Sequence, residues 1–260
     1  MINSLWISKT GMEAQQMQLD VISNNLANVS TNGFKRSHAV FEDLMYQNLR
    51  QVGSATSEQS SLPTGLQIGL GVRTVATSRN FSQGNMQQTG NPTDLAIQGK
   101  GFFQVSLPDG TIGYSRDGSF QIDNQGRVVN SSGLPIVGAG TVPANSTSLS
   151  VASNGTITAT VPGSTTPATI GALTIANFVN PAGLEPKGQN VFTESASSGQ
   201  PTVGTPGDGG LGPVLQGYVE TSNVNVVQEL VTMIQTQRAY EMNSKAIQTS
   251  DQMLQKLGQL

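Results

Sequence analysis

Apolar side chains recur every seven residues near the start of the chain, at Leu5, Met12, Leu19 and Leu26, with Ile22 and Val29 three positions after the last two. A seven-residue repeat returns to one side of a helix, so the pattern predicts an amphipathic helix of about four heptads. Ser4 is a candidate cap for its start. Asn28 to Gly33 supplies stop residues, with Asn32-Gly33 suited to left-handed or turn conformations. The far end repeats the device: Val226, Met233, Tyr240, Ile247 and Leu254 are again seven apart, flanked one residue earlier by Ala239, Ala246 and Met253 and followed at the end by Leu260. Asn225 with Gln228 three later resembles a capping box and sets the start at Val226. That gives roughly 33 residues, or about 50 Å of helix.

Between these ends the period changes to two. Phe102 to Leu107 and Thr111 to Arg116 flank the turn Pro108-Asp109-Gly110. Ser119 to Asp123 and Gly126 to Asn130 join through Asn124-Gln125, and Leu149 to Ser153 and Thr156 to Val161 through Asn154-Gly155, a strong hairpin turn. Ala168 to Val179 reads as further strand, Ser195 to Pro213 as a Gly-Pro-Ser loop, and Arg50 to Pro63 as a polar loop or extended arm. The expected fold class is α+β, with N- and C-terminal helices paired as a coiled-coil layer and a central all-β domain of hairpins. The expected divisions are a first helix in 1–30, a linker or arm in 31–75 that includes the polar segment 46–63, the β domain in 76–220 and the last helix in 224–260.

Two narrow seams at the chain ends, with strands between them, pair most economically with each other. Burying six side chains of the first seam yields roughly 9 to 18 kcal/mol at ~1.5 to 3 each. Ordering about 25 residues costs about 37 kcal/mol. Backbone hydrogen bonding offsets part of the difference, yet one seam against one helix is too little. The ends are therefore expected to order when other subunits cover them, as in an assembling protein.

Charge narrows the partners. The 260 residues carry 13 Lys and Arg against 16 Asp and Glu, a net −3, and no basic block longer than Lys35-Arg36, which argues against nucleic acid. Charged residues make up only 11 % of the chain, far below the roughly 25 % of ordinary soluble domains, so the surface is polar but nearly uncharged. Val128 to Leu184 contains no charge at all. Pro135, Pro143, Pro162 and Pro167 interrupt it, so it reads as β structure and membrane insertion is not expected. The first residues lack the basic start and apolar run of a cleavable signal, so any export is expected to use another machine.

Candidate chemistry is sparse. There is no cysteine, which removes disulfides, thiol catalysis and thiolate metal sites. His38 is the only histidine, so any Ser-His-Asp arrangement would need it, and it directly follows the Lys-Arg pair in the segment leaving the first helix. Gly99-Lys100-Gly101 and Gly69-Leu70-Gly71 complete no phosphate-loop motif. Asp109, Asp117 and Asp123 fall at predicted turns and lack the spacing of a calcium loop. No enzyme activity, cofactor or metal is expected.

Four stretches together resemble a known family. They are NNLANVSTNGFKR at Asn24 to Arg36, TDLAIQGKGFF at Thr93 to Phe103, YSRDGSFQIDNQG at Tyr114 to Gly126 and ETSNVNVVQELVTMIQTQRAYEMNSKAI at Glu220 to Ile247. In this order they resemble the bacterial flagellar axial proteins, the rod and hook family. The polar segment Tyr46 to Pro63 resembles the extra stretch that goes with a straight rod rather than a hook. The resemblance implies self-association into a helical tube, with paired terminal helices lining an export channel and the β domain outside. It further implies type III export, proximal rod and hook-side axial neighbours, a rod cap during assembly, and ring proteins of the peptidoglycan and outer-membrane layers.

On this reading the assembly interface comprises Leu5, Met12, Leu19, Ile22, Asn24, Asn25, Leu26, Asn28, Val226, Met233, Tyr240, Ile247 and Leu254. The asparagines bond neighbouring backbone where helix gives way to extended chain, with contacts between subunits favoured for Asn24 and Asn25. A hook or proximal rod paralogue shares this layout. Two rivals from other classes are a secreted adhesin-like β module on a self-sufficient helical stalk and a cell-wall enzyme built around a carboxylate pair.

Overall fold

The computed structural model describes residues 2–50, 55–57, 60–61, 64–162 and 166–258. It is α+β, as the periodicities predict: helix α1 spans Ile2–Ala27, helix α2 spans Val226–Leu257, and the segments between them are strands and turns. Helix α1 begins before Ser4, which therefore lies inside the helix and does not cap it. The start of α2 follows the sequence: the Asn225 side chain accepts a hydrogen bond from Gln228 N at 3.2 Å, satisfying one of the donors that a helix start leaves open.

The chain divides into two compact units. One holds 1–26, 37–78 and 225–260, and the other holds 27–36 and 79–224. The boundaries differ from the expected 30 and 75, because the stop residues after α1 bond into the β unit while strands Ser37–Asp43 and Val72–Arg79 pair with each other in the helical one.

In the β unit a six-stranded sheet runs in the order Glu185–Gly188, Val191–Thr193, Ile112–Ser115, Phe102–Ser106, Ile175–Asn177 and Thr202–Gly204. The first two expected hairpins form, Tyr114 opposite Gln104 in one and Gln121 opposite Val129 in the other, and Asn154-Gly155 closes the third, which pairs Val151 with Ile157. Successive strand residues point to opposite sides. Phe103 therefore enters a core with Val105, Phe120, Ile157, Leu173 and Ile175, while Phe102 joins Tyr114, Phe178, Leu184 and Phe192 in a second cluster. Edge-to-face ring contacts tie each together, at 5.1 Å for Phe103 and Phe120 and 4.8 Å for Tyr114 and Phe178.

The stretch Ala168 to Val179 is two strands, not one. Leu173 turns into the core with its N–H on Gly155 O at 2.8 Å, and the chain changes sheet there, pairing with 156–160 before the break and with 102–103 after it. Three-residue pairs such as Leu95–Ile97 with Val214–Gln216, and Met86–Gln88 with Tyr218–Glu220, are too short to leave a periodic signal.

The helical unit contrasts with this. Both apolar cores lie in the β unit. Among the described residues, all of the exposed large apolar side chains except Ile112, Ile122, Val179 and Val203 lie in the helical unit. Its polar arm pairs Tyr46–Arg50 with Leu66–Gly69 and Ala55–Ser57 with Ser60–Ser61, while 51–54, 58–59 and 62–63 of the expected arm, and Leu260 of the expected seam, lie outside the described residues. Every residue of Tyr46–Arg50 is exposed. An isolated two-stranded ribbon of this kind has little stability in water.

Phe103→Ala should cost the β unit about 3–5 kcal/mol, read from denaturant unfolding. Amide exchange on the dilute monomer should show the pairs between 95 and 177 protected and both helices exchanging far faster. Equal protection of the helices would mean that they are stable alone.

Candidate assembly interface and its internal locks

The helices run antiparallel within their unit. Asn25 Nδ2 donates to Glu229 Oε2 at 3.3 Å, and Asn243 Nδ2 donates to Gln15 Oε1 at 3.2 Å. At Gly11 a Cβ would come within 2.9 Å of Asn243 Nδ2, so the glycine lets α2 approach closely. The residues of α1 that are buried are Thr10, Ala14, Val21, Ile22 and Asn25, and those of α2 are Glu229 and Thr236. The inner seam is thus mostly small and polar. Beside it opens a groove of about 390 Å³ walled by Gly11, Ala14, Phe41, Val72, Thr236 and Ala239.

The heptad residues named from sequence differ in burial. Ile22 is buried, whereas Leu5, Met12, Leu19, Leu26, Met233 and Ile247 are half-buried. Val226, Tyr240 and Leu254 are exposed at 38 %, 39 % and 38 %. Counting sevens selects large apolar side chains, whereas the fully buried positions of the two helices are mostly smaller or polar.

The asparagines divide. Asn25 is buried and clasps the chain that returns past it: its Nδ2 donates to Ser37 O at 2.8 Å and its Oδ1 accepts from Ser37 N at 2.9 Å, a side-chain copy of a strand pair. The Asn25 amide is engaged inside one copy on both its oxygen and its nitrogen. Asn24 is exposed on α1. Asn28 turns the chain, accepting from Thr31 N at 3.2 Å with its carbonyl and from Thr31 Oγ1 at 3.2 Å with its side chain. Gly33 has φ +68°, and a Cβ there would stand 2.5 Å from Asp117 N, so the Asn-Gly turn requires glycine for both conformation and space.

A second lock, which the sequence reading did not identify, lies in the β unit. Lys35, Arg116 and Glu220 are all buried. Lys35 Nζ donates to Glu220 Oε1 at 2.6 Å and to Ser82 O at 2.8 Å. Arg116 Nη1 donates to Glu220 Oε2 at 3.2 Å and its Nη2 to Gly99 O at 2.6 Å, with its guanidinium 5.3 Å over the Phe102 ring. Gly84 N supplies a further donor to Glu220 Oε1 at 2.8 Å. Burial pushes Lys35 below its ordinary range, and the Glu220 carboxylate pulls it back up. Backbone bonds reinforce the same place: Gly33 N donates to Glu220 O at 2.8 Å and Arg36 N to Asn223 Oδ1 at 2.7 Å. Lys35 adjoins Arg36 and Arg116 adjoins Asp117, so only Glu220 stands alone among uncharged neighbours, and no local pattern marks the three as partners.

The remaining sequence candidates are ordinary. His38 is exposed on strand Ser37–Asp43. Asp109, Asp117 and Asp123 each accept from the backbone N–H two residues on, at 3.0, 3.0 and 2.8 Å, as turn residues do. Among the described residues no group of acids and histidine could hold a metal, and no helix is long and apolar enough to cross a membrane.

Family profiles match three stretches: the flagella basal body rod protein profile at residues 6–35, the flagellar hook protein FlgE/F/G D1 domain at 96–159, and the flagellar basal body rod FlgEFG C-terminal profile at 215–260. The chain is 59 % identical over 260 residues to the flagellar basal-body rod protein FlgG of Buchnera aphidicola subsp. Acyrthosiphon pisum, covering all of both chains. It is 46 % identical to the FlgG of Borreliella burgdorferi over 98 % of this chain and 97 % of that one. The similarity to the flagellar hook protein FlgE of Helicobacter pylori is partial, 45 % over 140 residues, or 53 % of this chain and 19 % of that one.

Glu220→Ala strands two buried cations and should destabilise the β unit by about 3–5 kcal/mol. The check is urea unfolding, with Lys35→Met expected to cost less because Arg116 keeps its carboxylate.

Proposed function

This chain belongs to the flagellar basal-body rod protein family, and on that premise we propose that it is the structural subunit of the distal rod, polymerising into a straight tubular shaft that carries motor torque to the hook. The observation that carries this reading is the division of labour between the units. The β unit encloses both apolar cores, whereas the helical unit leaves most of its large apolar side chains exposed. Apolar surface on that scale is a docking surface awaiting neighbours.

Full-length similarity to basal-body rod proteins, against partial similarity to a hook protein, favours a rod over a hook. The exposed arm beginning at Tyr46 supplies extra surface, including Tyr46, Leu49, Leu66 and Ile68, through which neighbouring copies stiffen the shaft. Its place is the flagellar basal body, where the rod spans the periplasm and lines the export channel. Subunits travel there unfolded by the flagellar type III route, their terminal helices too poorly buried to fold firmly on the way. Proximal rod and hook-side axial proteins adjoin it end to end, a rod cap guides its addition, and ring proteins surround it. The role is mechanical, without catalysis.

Leu19→Asp or Ile247→Asp should abolish swimming in soft agar and the recovery of rods from cells, while leaving the thermal midpoint of the β unit within a few degrees of its original value. Normal rods from either variant would count against the helices as the polymer contact.

A further inference from the structure

We propose that the turn Pro108-Asp109-Gly110 of one copy docks into an aromatic pocket at the opposite end of the same strand pair in a second copy, setting the Asp109 carboxylate against Lys100. This rests on the polymerising role above and specifies one of its contacts. The pocket, of about 260 Å³, opens where strand Phe102–Ser106 begins and strands Ile112–Ser115 and Ile175–Asn177 end. Phe81, Phe102 and Phe178 wall it. Val179 also lines it and is 92 % exposed, on a β unit that otherwise leaves only Ile112, Ile122 and Val203 of its described large apolar side chains uncovered. Among the described residues the side chains of Lys100 and Asn177, which complete the rim, make no hydrogen bond or ion pair. No acid lines the pocket. Its volume falls below the roughly 300 Å³ at which small-molecule sites begin, so it suits the tip of a turn.

Charge complementarity and strand direction select the occupant. Asp109 accepts from Thr111 N at 3.0 Å and from Thr111 Oγ1 at 2.6 Å through one oxygen, Oδ1, which leaves Oδ2 for a donor outside the turn. Pro108 and Ile112 beside it are exposed, so the tip offers a carboxylate set in apolar surface, the counterpart of a base set in aromatic walls. Glu185 stands at the same end of the sheet, opposite Thr193, and Glu194 follows directly. Lys187 is the nearby base, and it pairs with Glu185 at 3.8 Å across solvent, which holds its charge weakly. The other turn that joins an acid to an exposed apolar residue, Ile122-Asp123, has its carboxylate held by Arg127 at 2.8 and 3.0 Å. Strand Phe102–Ser106 separates the turn from the pocket by five residues, roughly 17 Å at ~3.4 Å each. Tip and pocket therefore cannot meet within one copy. Because a copy gives its tip to one neighbour and its pocket to another, the contact is heterologous and repeats without closing.

The chain has no cysteine, so Pro108→Cys with Val179→Cys introduces the only two thiols, both at exposed positions that leave Asp109 and Lys100 in place. Rods from cells making this variant in place of the original chain, treated with a bis-maleimide too short to span one copy's strand, should run on a denaturing gel as a ladder of dimers, trimers and higher species. Asp109→Lys should cut rod recovery at least tenfold while leaving the thermal midpoint of the purified chain unchanged, and adding Lys100→Asp should restore recovery. Rods that form yet give no ladder, full recovery from Asp109→Lys alone, or a reversal that Lys100→Asp fails to rescue would overturn this contact and leave the rod reading standing. An unaltered chain that never assembles in cells would overturn both.

Discussion

Two long helices that enclose almost none of their own large apolar side chains are the constraint on which the rest of the molecule depends. Their mutual contact uses Ala14, Asn25, Glu229, Thr236 and Asn243, side chains that pack closely or hydrogen-bond but remove little apolar area from water. A buried polar group left without its mate is costly, so this seam selects its partner more than it stabilises it. The larger residues remain on the flanks and outer faces, where burial requires other copies. The β unit carries no such debt, since Phe102 and Phe103 feed two enclosed clusters from one strand.

What the sequence made legible follows from this division. Helix positions, the cap at Asn225 and the hairpins at Gly110, Gln125 and Gly155 could be read directly, because period and turn chemistry are local properties. The inner seam could not. Small and polar residues carry no hydropathy signal, and the heptad count selects residues such as Leu5, Met12, Val226 and Tyr240, none of which is fully buried in one copy. Asn25 is legible as an amide at the end of the helix, but its partners are not, since Ser37 is twelve residues on and Glu229 is 204 away. The break at Leu173 was hidden because the chain stays extended while it changes sheet.

The buried charge cluster is assembled from the three stretches that carry the family likeness. Lys35 closes the first, Arg116 lies within the second and Glu220 within the third. An ion cluster sealed from water adds little net stability, yet it strongly disfavours any arrangement that separates its members. It therefore fixes which segments meet in the β unit, and the chain's low charge content leaves few wrong partners available.

That cluster also has a topological consequence. Lys35 and Glu220 are 185 residues apart in sequence, yet their side chains touch, and Gly33 N bonds Glu220 O. Once the β unit has formed, the roots of the two helices are adjacent, and a tether of roughly a dozen residues replaces one of nearly two hundred. On the logarithmic scaling of loop closure this makes bringing the helices together about 2.4 kcal/mol less costly. The β unit thus acts as a clasp that raises the local concentration of each helix about the other. Two segments too poor in buried surface to pair as free peptides become obligatory neighbours by connectivity alone.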